Sequence, residues 1–217
     1  MGRRVVDKRP RIRREMRCAM GKLYMLLGKS ASGKDSIAKE LLKKYAGRLS
    51  PVIPYTTRPI RIGEKPGVAY RFVSEDKMAE LEAAGKVLER RDYVTIHGPW
   101  SYFTADDGQI DLARKDSLMV GTPEAFAGLA KTLGRENLVP ILVALDDEER
   151  LMRAIWREKK QVKPNYAEVC RRYLADEKDF APDVLEAKLG DDVVTFYNWD
   201  FDACMEQATA YFDKVLG

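Results

Sequence analysis

A glycine-rich segment, GKSASGKDS (Gly28–Ser36), constrains the fold of this chain more than any other feature. It has the spacing glycine, four residues, glycine, lysine, and it follows the continuous apolar run Leu23–Leu27. Apolar residues then recur at helical spacing, with Gly47 as the expected helix stop. A buried strand, a glycine-rich turn and a helix are the context that identifies a P-loop. The segment therefore predicts a loop whose backbone N–H groups hold the phosphates of a nucleoside triphosphate.

Single side chains in this segment indicate how the phosphates are held. Lys34 supplies a mobile cation for the β- and γ-phosphates. The P-loop pattern has Ser or Thr after this lysine as a ligand of Mg²⁺, but the chain has Asp35 there and Ser36 one residue later. A carboxylate is a hard oxygen ligand for Mg²⁺ and suits a helix N-terminus, although it repels the polyphosphate beside it. We therefore predict Asp35 as the metal ligand. The predicted triphosphate-binding residues are Gly28, Ser30, Ser32, Gly33, Lys34, Asp35 and Ser36.

Strand and helix patterns alternate through most of the remaining chain. Continuous apolar runs predict buried strands, and apolar residues at helical spacing predict helices between them. Repeated alternation of this kind predicts an α/β fold, with a P-loop NTPase-type parallel sheet flanked by helices. Besides Leu23–Leu27, strands are predicted at Ser117–Gly121, Leu138–Leu145 and Val193–Asn198, and helices at Pro123–Leu133, after Asp146-Asp147, and from Phe201 to Val215.

Residues 56–104 interrupt this alternation. The stretch is rich in Arg, Gly, Pro and Tyr, with short strand-like pieces around one amphipathic helix, Ser74–Ala84. Open α/β folds bind ligands at the carboxyl edge of the sheet, so we predict an inserted binding subdomain at that edge. Within it, Arg58, Arg61 and Tyr70 can converge on one phosphate, because the guanidinium fork matches phosphate oxygens.

This arrangement resembles the guanylate kinase family. The family has a P-loop, then Thr-Thr-Arg-Pro-x-Arg, Gly-Glu, and a Gly and a Tyr before Phe-Val; the chain has YTTRPIRIGEKPGVAYRFV (Tyr55–Val73). The resemblance extends over about residues 22–215. It implies that residues 22–217 form a guanylate kinase-like domain, with an acceptor-nucleotide subdomain at 56–104 and a helical lid at 147–172. It also implies phosphoryl transfer from ATP to GMP, giving ADP and GDP, with Mg²⁺.

The resemblance implies roles for single residues of the acceptor subdomain. Arg58, Arg61 and Tyr70 would hold the phosphate of GMP. Glu89 would pair with the N–H edge of guanine, since a carboxylate suits two adjacent N–H donors that adenine lacks. Tyr102 and Thr104 would complete the acceptor pocket, in a segment YFT where the family has YGT or YGS.

Arginines in the later half resemble the lid and catalytic arginines of the family. Arg153 and Arg157 share a helix face at i, i+4, and Arg172 follows after a break at Pro164. Together with Lys34, these cations would neutralise charge on the transferring phosphoryl group. The alternative is a surface helix with ion pairs to neighbouring glutamates. Asn198 resembles the asparagine near the adenine of ATP.

One departure from the family keeps other functions open. The family ends its middle strand with Asp-x-Gln-Gly, whereas this chain has Gly121, Thr122 and Pro123. This difference and Phe103 favour a kinase of the same architecture with another phosphorylated acceptor, while Glu89 favours GMP. A non-catalytic guanylate-kinase-like binding module is a third possibility, which the intact glycine and lysine of the P-loop oppose.

The positive charge of the chain is confined to its start. Residues 1–19 contain eight basic and two acidic residues, a charge of +6, while the whole chain has a net charge of +4. The remainder is therefore slightly acidic, at −2. We predict that residues 1–21 form a basic, disordered leader, or an extension upstream of a start at Met16 or Met20. Nucleic acid is accordingly not an expected partner.

Several classes of protein are not expected. No apolar run reaches the ~18 residues of a membrane helix, and the basic start lacks the apolar core of a signal peptide. The three widely spaced cysteines have neither metal-binding nor disulfide spacing. The one histidine, His97, leaves little room for His-based catalysis, and we expect it to line a rim or pack. We expect a cytoplasmic protein, and the sequence leaves its oligomeric state open.

Overall fold

The computed structural model describes residues 21–60, 64–95 and 98–217. The predictions for the basic leader, Arg61 and His97 lie outside these residues. In chain order the elements are β1 (Leu23–Leu27), α1 (Lys34–Lys44), β2 (Leu49–Val52), β3 (Tyr55–Thr56), β4 (Arg71–Phe72), α2 (Glu75–Ala83), β5 (Val87–Thr95), β6 (Gly98–Ala105), β7 (Asp116–Gly121), α3 (Pro123–Leu133), β8 (Leu138–Ala144), α4 (Asp147–Lys159), α5 (Tyr166–Asp179), α6 (Pro182–Leu189), β9 (Val194–Tyr197) and α7 (Phe201–Leu216).

The central sheet is parallel and five-stranded, in the order β2-β7-β1-β8-β9. Strand β1 lies in the middle and pairs with both β7 and β8. All five of its residues are buried because helices cover both faces of the sheet. Tyr24 and Leu26 pack toward α1 and α7, while Leu23, Met25 and Leu27 pack toward α3 and α6. The predicted α/β fold with a parallel sheet is confirmed.

A smaller four-stranded sheet, in the order β4-β3-β6-β5, is formed by the inserted segment. Strands β5 and β6 form an antiparallel hairpin that is longer than the short pieces predicted. Its own core contains Tyr55, Met78, Phe103 and Ala105. Phe103 is fully buried and stacks on Tyr55 with ring centroids 5.1 Å apart, so its aromatic ring is part of this core.

Helices whose capping and stop residues adjoin them in the sequence have ends close to the predicted ones. Helix α3 has the predicted bounds: Thr122 caps it by accepting from the N–H of Ala125, Pro123 occupies the first turn, and Gly134 follows the end. Helix α1 ends at Lys44 with Tyr45 as its cap, before the predicted stop at Gly47.

None of the described helices combines the length and the apolar character that crossing a bilayer requires.

Candidate functional site

A cleft of about 500 Å³ lies where the carboxyl ends of β1 and β7 meet the small sheet and helices α4 and α5. Residues predicted for separate roles line it together. The P-loop contributes Gly28, Ser30, Lys34 and Asp35; the inserted segment contributes Arg58, Tyr70 and Tyr102; the helices contribute Arg157 and Arg172. The topology therefore brings the predicted triphosphate loop, acceptor pocket and lid arginines to one site.

The P-loop is a tight turn between β1 and α1. Ala31 and Gly33 have positive φ angles of 65° and 89°. A Cβ on Gly33 would lie 2.2 Å from Nδ2 of Asn198, so glycine is required there. Among the described residues, Lys34 Nζ donates one long hydrogen bond, 3.4 Å, to the carbonyl of Lys29, which leaves the ammonium available for phosphate.

Asn198 is packed beneath the P-loop. Its Nδ2 donates to the carbonyl of Ser32 at 2.6 Å, and its backbone N–H donates to the carbonyl of Ala144 at 2.9 Å. Both Asn198 and Ser32 are only 1% exposed. The asparagine therefore ties the P-loop to the end of β8. The resemblance implied that Asn198 lies near the adenine of ATP, but its side chain is covered by protein.

Asp35 and Ser36 are exposed residues of the first turn of α1, and Asp35 lines the cleft beside Lys34. The described residues contain no cluster of three or more acidic, His or Cys side chains that could hold a metal ion alone. That finding is compatible with Mg²⁺, which proteins hold with one or two carboxylates together with substrate phosphates and water. Asp35 is a suitable ligand of this kind.

Arg58 lines the cleft and is central to the predicted acceptor pocket. Its side chain is 3% exposed, and its Nη1 and Nη2 donate to the two carboxylate oxygens of Glu64 at 2.8 and 2.7 Å. Its guanidinium also lies over the rings of Tyr70 and Phe72, 5.4 and 5.1 Å from their centroids. Two rings and a carboxylate thus fix the orientation of the arginine that is predicted to meet the acceptor phosphate.

Tyr70 and Tyr102 stand edge to face beside Arg58, with ring centroids 5.4 Å apart. Tyr93 continues this row, 5.5 Å from Tyr102. Burial raises the pKa of the Tyr70 hydroxyl above its ordinary value of 10.0, so the phenol is a neutral hydrogen-bond donor well beyond neutral pH. The two predicted tyrosines therefore adjoin the guanidinium of Arg58, which is predicted to bind the acceptor phosphate.

Glu89 is almost completely enclosed. Its side chain is 2% exposed; it accepts from Thr104 Oγ1 at 2.8 Å and from Nε and Nη2 of Arg91 at 2.9 and 3.2 Å. Burial raises the pKa of its carboxyl, and the charge of Arg91 and the hydrogen bond from Thr104 oppose that shift. Arg91 lines the cleft, whereas Glu89 and Thr104 lie behind it.

Arg91 was missed by sequence reasoning. It also donates from Nη1 to Thr122 Oγ1 at 3.0 Å, at the end of β7. Glu89 and Arg91 are two apart on one strand, and residues at i and i+2 share a face of a sheet. The i, i+2 spacing of Glu89 and Arg91 is the sequence signal that could have identified Arg91 as a neighbour of Glu89.

The lid arginines divide into two groups. Arg157 and Arg172 line the cleft, together with Arg171, which was not predicted. Glu168 accepts from Arg171 Nε at 2.7 Å and from Arg172 Nε at 2.8 Å. The hydrogen bonds from Arg171 and then Arg172 outweigh burial and lower the pKa of Glu168 to about 2. Glu168 is therefore charged at neutral pH, and its carboxylate holds the guanidinium groups of Arg171 and Arg172.

Arg153 lies outside the cleft lining. Its Nε donates to Glu149 at 2.9 Å and its Nη2 to the carbonyl of Trp199 at 3.2 Å. The contact with Glu149 fits the alternative of an ion-paired surface helix better than a contact with the transferring phosphoryl group.

A second arginine missed from the sequence, Arg150, connects the lid to the P-loop. Its side chain is 2% exposed; it contacts Asp147 at 2.6 Å, Asp176 at 3.4 Å and also Glu177. Lys29 of the P-loop joins the cluster through Asp147 and Glu177, at 3.1 and 2.7 Å. We call these five residues the lid cluster. In addition, the backbone N–H of Ser30 donates to Asp176 Oδ2 at 2.7 Å, so a carboxylate of α5 occupies one amide of the P-loop.

Comparisons with known proteins agree with this geometry. A model described as guanylate kinase matches residues 20–98. The guanylate kinase of Nostoc sp. (strain PCC 7120) is 29% identical over 157 residues, covering 65% of this chain and 76% of that protein. The solved guanylate kinase of Anaplasma phagocytophilum has a TM-score of 0.61 at 16% identity, with 90% of this chain and 86% of that one covered. The chain is therefore similar to guanylate kinases in sequence over residues 20–98 and in fold over most of its length.

Other guanylate kinases match this chain over a shorter region. The protein from Schizosaccharomyces pombe is 37% identical over 68 residues, and the match spans 34% of its length. The protein from Legionella pneumophila (strain Lens) is 36% identical over 69 residues, or 32% of its length. The high identity is thus restricted to about a third of each relative, whereas the structural likeness extends over most of the chain and shows the shared fold.

Within the guanylate kinase fold, the end of strand β7 is the clearest difference from the family pattern. A Cβ on Gly121 would lie 2.8 Å from Met25 Cε, so a larger residue there would displace that side chain. Thr122 is occupied as the cap of α3 and as the acceptor for Arg91. An arginine and a threonine therefore stand near the place where the family has a carboxylate.

Proposed function

We propose that this chain transfers the terminal phosphoryl group of ATP to GMP, giving ADP and GDP. The observation that carries the proposal is one cleft lined by P-loop Lys34, by acceptor residues Arg58 and Tyr70, and by lid residues Arg157 and Arg172. Phosphoryl transfer needs two phosphates held in line between cations, and this cleft has cations on both sides.

The chemistry requires positioning more than proton transfer. The second pKa of a phosphate monoester is about 6, so the attacking phosphate of GMP is mostly ionised at neutral pH. A general base is therefore unnecessary. Lys34 would bind the β- and γ-phosphates, Arg58 would orient the acceptor phosphate, and the lid arginines would stabilise charge on the transferring group. Arg61 is proposed as the second arginine on the acceptor phosphate, on the resemblance alone.

Mg²⁺ would be held by Asp35 together with the phosphates of ATP. When bound, Mg²⁺ would supply positive charge that stabilises the charge developing on the phosphate oxygens. Asp35 also offers a substitute for the carboxylate missing at the end of β7, because it supplies one negative charge beside the same phosphates.

We expect Asp35→Ser to raise the Mg²⁺ concentration needed for half-maximal activity by roughly tenfold, equal to about 1.4 kcal/mol of metal binding. The reason is that serine keeps an oxygen at the position but removes its charge. Titration of Mg²⁺ at saturating ATP and GMP measures the effect. Asp76→Ser, in the exposed first turn of α2, is the matched control and should leave the titration unchanged. An unaltered Mg²⁺ requirement in Asp35→Ser would contradict the role of Asp35.

The proposed reaction is tested by ADP release from ATP and Mg²⁺ with GMP, dGMP, AMP, CMP, UMP and dTMP offered in turn. We expect turnover with GMP well above that with AMP or the pyrimidine nucleotides. Turnover with a different monophosphate would identify another acceptor. Binding of ATP without turnover of any acceptor would instead favour a guanylate-kinase-like binding module.

A kinase with another phosphorylated acceptor is the second candidate. It is favoured by one observation, that β7 ends in Gly121 and is followed by Thr122 where the family pattern has a carboxylate. The acceptor series above separates the two candidates. Membranes and nucleic acids are not proposed as partners.

A further inference from the structure

The base end of the acceptor pocket presents a donor to the cleft. Arg91 lines the cleft and its side chain is 8% exposed, while Glu89 behind it is 2% exposed. Both oxygens of Glu89 accept hydrogen bonds from within the protein, from Arg91 and from Thr104. A ligand that enters the cleft therefore meets the guanidinium before the carboxylate.

The guanidinium of Arg91 has hydrogen-bonding capacity left over. Arginine carries five N–H donors. In the described part of the chain, Nε donates to Glu89, Nη2 donates to Glu89 and Nη1 donates to Thr122. One N–H on Nη1 and one on Nη2 remain for a ligand. Because Glu89 and Thr122 fix the plane of the group, little side-chain entropy would be lost when a ligand uses these two donors.

We propose that Arg91 is the residue that reads the acceptor base, donating to O6 and N7 of guanine. This rests on the proposed function, since it assumes that a purine monophosphate occupies the pocket. Arginine suits that edge, because its two terminal N–H groups match the two adjacent acceptors of guanine. Adenine presents an amino group in place of O6, so a donor would face a donor. Glu89 then acts as a positioning residue that orients Arg91.

Two nucleotide analogues separate this arrangement from direct reading by Glu89. IMP lacks the 2-amino group of GMP but keeps O6 and N7. The 7-deaza analogue of GMP keeps the 2-amino group and O6 but lacks N7. If Arg91 reads the base, IMP should bind within about threefold of GMP, and 7-deaza-GMP should bind roughly tenfold more weakly. If Glu89 contacts the N–H edge, the order of the two analogues is reversed.

The test is calorimetric binding of GMP, IMP, 7-deaza-GMP and AMP to the full chain, alongside ADP release with each. The variant Arg91→Met/Glu89→Gln removes the donors without leaving a buried carboxylate unpaired. We expect it to lose the difference between GMP and 7-deaza-GMP. Arg90→Met is the matched control, because Arg90 pairs with Glu82 and Asp92 away from the cleft, and it should keep the wild-type pattern.

The outcomes distinguish this inference from the proposed reaction. The expected analogue order with turnover supports both, and the same order in binding without turnover supports the role of Arg91 while contradicting the reaction. Turnover of GMP with weaker binding of IMP than of 7-deaza-GMP, or with equal binding of all three, overturns the role of Arg91 alone. Persistence of the 7-deaza effect in the double variant also overturns it. Absence of binding by any purine monophosphate overturns both.

Discussion

Replacement of Lys34 by alanine is expected to lower kcat/KM for phosphoryl transfer at least 100-fold, because about 3 kcal/mol of transition-state stabilisation is lost. Lys34 begins α1 at the edge of the cleft, and its ammonium donates a long hydrogen bond, 3.4 Å, to the carbonyl of Lys29. That contact is weak enough to be exchanged for phosphate oxygens. Alanine keeps the helix while removing the cation, so the loss reports on charge stabilisation.

The measurement is the ADP-release assay with GMP, run on both purified proteins at matched ATP and Mg²⁺. Lys39→Ala is the matched control, since Lys39 is an exposed residue of the same helix outside the cleft lining. It should retain wild-type activity and thermal stability. If Lys34→Ala kept more than about a tenth of the activity, below 1.4 kcal/mol of loss, the P-loop would not act as proposed.

The elements that the sequence predicted well are those specified by neighbouring residues. The run Leu23–Leu27 is apolar at every position because it is buried on both faces, and Pro123–Leu133 has its own cap and stop. Strand β2 was missed because Leu49–Val52 is a short edge strand whose central Pro51 is exposed, which hides the apolar pattern. Helix α6 follows α5 closely and was likewise not predicted.

The residues of the candidate site were likewise predicted best where neighbouring residues in the sequence specify them. Short motifs with fixed spacing, such as Gly33-Lys34 and Arg58, were found, because the loop that carries each of them is local. The contact between Asn198 and Ser32 joins residues 166 positions apart, and the contact between Arg150 and Asp176 joins residues 26 apart. The sequence does not by itself distinguish a buried arginine from an exposed one. Only the packing of α4 on α5 distinguishes Arg150 from its exposed neighbours.

Arg150→Met is expected to lower the free energy of unfolding by about 3–5 kcal/mol, the range found when one partner of a buried ion pair is removed. Methionine approximates the volume of the aliphatic part but leaves the carboxylates of Asp147, Asp176 and Glu177 close together. It also removes the cation that lies 3.9 Å from the ring centroid of Tyr173. The three carboxylates of the lid cluster would then repel one another, and Lys29 would be the cation that remains in the cluster.

The loss of unfolding free energy in Arg150→Met should also depend on pH, which gives a second measurable feature. The hydrogen bond from Arg150 is the main cause that lowers the pKa of Asp147 below its ordinary value of 3.8. A carboxyl whose pKa is lower in the folded state stabilises the fold above its unfolded pKa, and this contribution is lost as the pH falls through the folded value. The difference between wild type and Arg150→Met should therefore be largest near neutral pH and should shrink below about pH 4.

Urea unfolding of both proteins at neutral and acidic pH measures both features. Arg114→Met is the matched control, because the side chain of Arg114 is 85% exposed and pairs with Asp111 at 3.4 Å in a surface turn. Its cost should be at most about 1 kcal/mol, the usual limit for an exposed ion pair. A loss in Arg150→Met as small as that of the control would show that the lid carboxylates relax into solvent without it. A large loss that did not change with pH would assign the effect to packing against Tyr173 instead of charge.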